Sequence, residues 1–270
     1  MVTSDVQADI GVIGGSGLYE LLVDAEPVGV DTPFGAPSEP PVVATLGGKR
    51  VAFIPRHGAD HRMPPHRVPY RANLWALRAL GVRQVVAASA VGGLRPDVGP
   101  GQLVVPDQLV DRTSGRADTY YDDGAVHVSL ADPYCPVGRE VAVRTAAADG
   151  WQPLDGGTLV VIQGPRFSTR AESRWFASAG WSVVGMTGYP EAALARELAL
   201  CYTAVTLVTD TDAGIVAGEA VSHAEVLRVF AEHITRLRGL LGSIVESLPT
   251  TRSCPCPHAL DDLHPTLALP

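Results

Sequence analysis

A series of short apolar runs, most of them closing on Gly, Pro or Asp, constrains this chain more than any other feature. They read IGVIGG, VVATLGG, RVAFIPRHG, QVVAASAVGG, QLVVPDQLV, GTLVVIQGPRF, WSVVGMTGYP and YTAVTLVTDTD. Runs of this length, rich in Val and Ile and bounded by turn residues, are strands buried on both faces. Helical stretches lie between several of them. YRANLWALRALG spaces its apolar residues helically and stops at Gly81, and STRAESRWFASAG opens on a hydroxyl cap and ends at Gly180. PEAALARELAL opens on a proline, and residues 222–248 form the longest helix, headed by a Ser-x-x-Glu capping box. Strand followed by helix, repeated, predicts an α/β fold: a single domain with a central mixed or parallel β-sheet flanked by helices. No internal repeat or linker interrupts it. The domain is expected over 10–248, with an N-terminal extension at 1–9. Residues 249–270, proline-rich and without period, are expected to be a flexible or partner-docked C-terminal tail.

At 270 residues, 46% hydrophobic and 19% charged, with 28 Gly and 22 Pro, the chain supports a large core with many tight turns. That composition excludes a coiled coil or a disordered chain. A net charge of −8 gives no electrostatic support for nucleic-acid binding, so an anionic ligand needs a local basic pocket. The start, MVTSDVQAD, lacks the charged-then-apolar pattern of a secretory signal, and no run spans a membrane. A cytoplasmic setting with reduced thiols is the expectation. Cys135 and Cys201 sit in apolar surroundings and read as buried free thiols. Cys254 and Cys256, in CPCPH, suggest a zinc site or a redox pair. Two cysteines with one His are an incomplete ligand set, and a disulfide between them would close a strained small ring.

Sheets of this kind carry ligands where the strands end, and polar residues collect there. GVIGGSG places Ser16 in a glycine-rich turn. It lacks both the G-x-G-x-x-G pattern of a dinucleotide fold and the lysine of a triphosphate loop, yet its amides and hydroxyl suit an anion. IPRHGADHRMPPHR sets Arg56 and His57 directly after an apolar run, in a loop crowded with His61, Arg62, His66 and Arg67. Guanidinium and imidazole donors suit phosphate oxygens. The spacing of His57, His61 and His66 also permits a metal reading, but only Asp60 stands nearby to complete a set. Ser89 and Ala90 precede Gly92–Gly93, a small-residue floor. Asp210 and Asp212 end the last apolar run two apart, on one side if the pleat continues.

Taken in order, GVIGGSGL, FIPRHG, VPYRANLWALRALGV, QLVVPDQLVDRT, GPRFSTRAES, MTGYPEAALARELALCY and TDTD resemble the trimeric purine nucleoside phosphorylases, in particular the 5′-methylthioadenosine phosphorylases. The resemblance runs from about residue 10 to 248. It implies the nucleoside phosphorylase fold, with a central mixed β-sheet flanked by helices, and phosphorolysis of an N-glycosidic bond, with orthophosphate as co-substrate and no metal or organic cofactor. By resemblance, Ser16, Arg56, His57, Ser89, Ala90 and Thr187 bind phosphate, and Met186 contacts ribose. Phe167, Ser168, Asp210 and Asp212 recognise the purine, and Asp210 serves as the catalytic acid at N7. His127, donated by a neighbouring subunit, lines the 5′ pocket together with His223 and Val226. The family usually has threonine at positions 16 and 89, and serine keeps the hydroxyl donor.

The 6-oxopurine enzymes place Glu and Asn where Ser168 and the strand-end acid stand here. Carboxyls in this place suit the 6-amino donor and basic N7 of adenine. His223 departs from that branch, because it stands where aminopurine enzymes carry an apolar residue and resembles the 5′-hydroxyl-binding histidine of the oxopurine enzymes. The expected reaction is therefore cleavage of S-methyl-5′-thioadenosine, and of adenosine beside it. The alternatives are a purine nucleoside phosphorylase for inosine or guanosine, and a nucleoside-binding protein without catalysis. The partners implied are small-molecule nucleoside and phosphate, with no nucleic acid or membrane, in a homotrimer of a purine- or methionine-salvage route.

Overall fold

The computed structural model describes residues 6–15, 17–18, 21–22, 24–215 and 221–270. A mixed sheet runs through the middle of the chain. Its strands are β1 (Ile10–Gly14), β2 (Glu26–Pro27), β3 (Val42–Leu46), β4 (Lys49–Pro55), β5 (Gln84–Gly93), β6 (Leu103–Val105), β7 (Gln108–Arg112), β8 (Leu154–Asp155), β9 (Thr158–Ile162), β10 (Val183–Gly185) and β11 (Cys201–Thr211). The helices are α1 (Tyr70–Ala79), α2 (Pro136–Ala148), α3 (Arg170–Ser178), α4 (Gly188–Glu197) and α5 (His223–Ser247). Three of the expected caps form as read. Gly81 closes α1 at φ +90°, Thr169 and Glu172 make a reciprocal capping box on α3, and Ser222 Oγ accepts from Glu225 N at 3.2 Å on α5.

The long strand β5 organises the sheet. Along one edge its first half pairs in parallel with β1 and its last two residues pair antiparallel with β10, while β11 lies parallel along the other edge. From there the sheet extends through β1 to β4, β3 and β2, and through β10 to β9 and β7. Period-two alternation sorts the side chains onto two faces. Val85, Ala87, Ala52, Ile54 and Ala204 meet Leu74, Leu77, Leu194 and Ala195 of α1 and α4. Val86, Ala88, Phe53, Val205 and Leu207 meet Val141, Ala142, Leu237, Leu240 and Ile244 of α2 and α5. Strands buried on both faces explain why they read as continuous apolar runs. Among the described residues, no helix is long and apolar enough to cross a membrane.

Residues 249–270 lie against their own chain. Cys254 and Cys256 are buried, Leu267 and Leu269 pack against the α1–α4 side of the core, and Thr266 Oγ1 donates to Asp123 O at 3.0 Å. A short 3-10 turn, Cys256–His258, lies within this segment.

Candidate active site

A cavity of about 490 Å³ opens where β1, β4, β5, β10 and β11 end, and the first turns of α5 close over it. That volume suits a nucleoside with an anion. Its lining includes Gly15, Arg56, His57, Ser89, Ala90 and Thr187. Phe167, Ser168, Asp210 and Asp212, from the end of β11 and the approach to α3, line it too, as does Met186. His223, Val226, Leu227 and Phe230 come from α5. The structure thus brings together, around one cavity, residues spread over most of the chain. Ser16 lies outside the described residues. His127 is exposed and is not part of this chain's cavity wall.

The basic part of the lining is built on the step just past β4. Arg56 N donates to Gly14 O at 2.8 Å, carrying the β1 ladder one residue further, and Gly58 at φ +72° then turns the chain. Arg56 is 2% exposed. Its Nε and Nη2 donate at 2.8 Å to the two oxygens of Glu191, and Nη1 donates to Ala88 O at 2.8 Å. Tyr202 OH donates to the same carboxylate at 2.6 Å. Burial alone would lower the arginine's pKa, but the bidentate carboxylate reverses that and raises it. Of five guanidinium N–H groups, three are engaged among the described residues, and two are left for a ligand. Sequence reasoning missed Glu191. It sits in an ordinary helix 135 positions from its partner.

His57 Nδ1 lies 2.8 Å from Met63 O. A carbonyl only accepts, so Nδ1 carries the proton and Nε2 is left as an acceptor. Burial and the neighbouring Arg56 charge lower its pKa to about 4. The sequence reading took this imidazole for a donor; as folded it is a neutral acceptor, matched to an anion that brings its own O–H. His57 stacks on His61 with ring centroids 4.2 Å apart.

The two aspartates are set by a bulge. β11 pairs with β5 in regular register to Val208, shifts by one, and resumes with Asp210 opposite Gly92. Both carboxyls then face the cavity. Asp210 Oδ2 accepts from Thr209 Oγ1 at 2.9 Å, and burial pushes its pKa up to about 6. Asp212 accepts from Ser173 Oγ at 2.5 Å, and burial raises its pKa too. The Ser168 hydroxyl is buried beside Asp212, and its interaction with that carboxyl works against the rise that burial causes. Gly92 is required by close approach: a Cβ there would stand 2.9 Å from Asp210 Oδ1 and 3.2 Å from Val184 Cγ1. Gly92→Ala is expected to push Asp210 off its position, cutting kcat at least about tenfold and costing about 1–3 kcal/mol. Steady-state rates and thermal unfolding check it.

On the α5 side the wall is mixed. His223 is exposed, Val226 half-buried, and Leu227 is 50% exposed. Burial, and after it the nearby charge of His223, holds the His61 pKa below its ordinary value. His61 was read from sequence as part of the basic loop and as a possible metal ligand, and its place beside His223 was not legible there. The metal reading of the histidine run is not met among the described residues, where only the four cysteines bring three or more such ligand atoms together.

With this geometry in place, comparison with known proteins decides the family. The model of the phosphorylase superfamily matches residues 9–246. The chain belongs to that superfamily. This phosphorylase is 60% identical to a purine nucleoside phosphorylase of Streptomyces coelicolor over the whole of both chains. It is 58% identical to an S-methyl-5′-thioadenosine phosphorylase of Mycolicibacterium smegmatis, covering 91% of this chain and 93% of that one. Among solved structures, a methylthioadenosine phosphorylase from an Antarctic soil metagenomic library superposes with a TM-score of 0.89. It is 40% identical, over 95% of this chain and 92% of that one. The phosphorylase is therefore an enzyme, a pentosyltransferase, with the nucleoside phosphorylase fold expected from its sequence.

Proposed function

We propose that this phosphorylase cleaves the N-glycosidic bond of S-methyl-5′-thioadenosine with orthophosphate, giving adenine and 5-methylthioribose 1-phosphate, and that adenosine is a second substrate. The observation that carries this reading is the pair of buried carboxyls lining the same cavity as an arginine–imidazole anion site. Adenine offers a 6-amino donor and an N7 acceptor, which match an ionised and a protonated carboxyl. Asp212 takes the amino group and the Ser168 hydroxyl supplements it. Asp210, whose proton is retained to about pH 6, donates to N7. Phe167 covers the base.

Phosphate sits on the two unengaged N–H groups of Arg56, the hydroxyls of Ser89 and Thr187 and the amide of Ala90, with Ser16 completing the set. The P–OH of the dianion donates to His57 Nε2. Met186 holds the ribose between base and phosphate. As the C1′–N9 bond breaks, its electron pair goes to the purine and N7 takes the Asp210 proton. A phosphate oxygen then bonds to C1′ from the opposite face, and the dianion stabilises the cationic sugar in between. None of these steps calls for a metal or organic cofactor. His127, exposed on its own subunit, reaches a neighbouring cavity in a homotrimer. The setting is a cytoplasmic purine- or methionine-salvage route.

His223 and Val226 form the 5′ pocket, apolar for a methylthio group and with one imidazole for a hydroxyl. His223→Val is expected to lower kcat/KM for adenosine roughly 3- to 10-fold, one hydrogen bond's worth, and to leave methylthioadenosine unchanged or improved. Equal losses on both substrates would remove His223 from 5′ recognition. The 60% identical relative named purine nucleoside phosphorylase favours a second reading, phosphorolysis of inosine or guanosine. Adenine release from methylthioadenosine that depends on added phosphate tests the main reading and excludes a binding protein without catalysis.

A further inference from the structure

Far from the nucleoside cavity in its chemistry, a second constellation stands unused by this reaction. The thiols of Cys135, Cys201, Cys254 and Cys256 all lie within 4.8 Å of one another, and all four residues are buried. Cys135 precedes α2, Cys201 opens β11, and the other two come from the segment after α5. From the sequence, the first pair reads as isolated apolar thiols and the second as an incomplete set. Folding makes one group of four.

We propose that these four cysteines form a tetrathiolate zinc site that clamps residues 249–270 to the core of the domain. Four sulfurs around Zn²⁺ at about 2.3 Å form a tetrahedron with edges of about 3.8 Å. The folded chain brackets that edge: Cys201 Sγ and Cys254 Sγ are 3.3 Å apart, and no pair in the group exceeds 4.8 Å. Small side-chain rotations therefore complete the shape. The surroundings suit thiolates. Cys135 caps the N-terminus of the 13-residue helix α2, where the helix dipole favours negative charge, and Gly138 N donates to its sulfur at 3.4 Å. Arg196 places a cation near Cys256. Pro255 and Pro257 flank Cys256 and stiffen the Cys-Pro-Cys segment, which reduces the entropy lost in aligning two ligands. Binding converts four thiols and Zn²⁺ into a complex of net charge −2 with release of four protons, and no oxidant is required.

The test measures zinc and thiols on the intact, purified protein expressed with zinc and dialysed against EDTA. About one zinc per chain is expected, released in step with titration of four thiols by an organomercurial. Cys254→Ser/Cys256→Ser is expected to lose at least about tenfold of that zinc, and cobalt substitution of the wild type to give the intense bands of a tetrahedral tetrathiolate. The wild-type readings stand whether or not the variant folds. Less than about 0.1 zinc per chain in the wild type overturns the proposal, whether mass spectrometry then finds four free thiols or pairs joined by loss of two hydrogens each. Zinc retained at full occupancy by a folded Cys254→Ser/Cys256→Ser variant overturns it as well.

Discussion

Asp210→Asn is expected to lower kcat/KM for methylthioadenosine by about 10²- to 10⁴-fold while making the folded chain more stable at neutral pH. Both effects come from one cause. Burial moves this carboxyl from 3.8 up to about 6, so the native state holds a proton that the unfolded chain has already released. Stability therefore falls as pH rises from about 4 to 6, and the loss persists above 6. The two-unit shift corresponds to at most about 3 kcal/mol, and the carboxyl's access to the cavity reduces it to about 1–3 kcal/mol. An amide has no proton to lose and still accepts the Thr209 hydroxyl. The gain in Tm should be full at pH 7.5 and vanish towards pH 4. His57 works in the other direction: its pKa is lowered from 6.5 to about 4, so it removes stability as pH falls through that window. In the wild type the two slopes oppose each other between about pH 4 and 6. The variant should expose the histidine's slope and lose stability more steeply towards acid. A gain independent of pH, or retained activity, would contradict this account of Asp210.

Glu191→Gln is expected to cost about 3–5 kcal/mol, lowering Tm by roughly 6–20 °C and raising KM for phosphate. Glu191 is 1% exposed and is held on three sides: by Arg56 Nε, by Arg56 Nη2 and by the Tyr202 hydroxyl. The amide keeps the shape but removes the charge, leaving a buried guanidinium uncompensated. Phosphate restores part of the missing negative charge. Saturating phosphate should therefore raise the variant's Tm more than it raises the wild type's. Calorimetry with and without phosphate checks both parts. A loss under about 1 kcal/mol, or equal phosphate shifts, would mean that the pair does not position Arg56.

The strands were legible because burial on both faces leaves an unbroken apolar run. The run at 84–93 coincides with β5 from end to end. Helix α2 was not legible. Its cap is Cys135 in place of a hydroxyl or carboxylate residue, and its buried stripe of Val141, Ala142, Thr145 and Ala146 is small and only weakly apolar. At the cavity, residue types at strand ends pointed to Arg56, His57 and Asp210, but their partners did not show. Glu191 meets Arg56 only through the packing of α4 on β11 and the passage of β4 to its end at Pro55. The one-residue shift that aims Asp210 at Gly92 belongs to pairing between distant strands. The four cysteines converge for the same reason, since 119 positions separate Cys135 from Cys254 and only the docked tail closes the group.

Substrate choice is tested most directly by kcat/KM for methylthioadenosine, adenosine and inosine, each measured with and without phosphate. Phosphate-dependent release of adenine is expected, with methylthioadenosine first, adenosine second and inosine far behind. Inosine as the best substrate would contradict the assignment of Asp210 and Asp212 to a 6-aminopurine and would make the chain a 6-oxopurine phosphorylase.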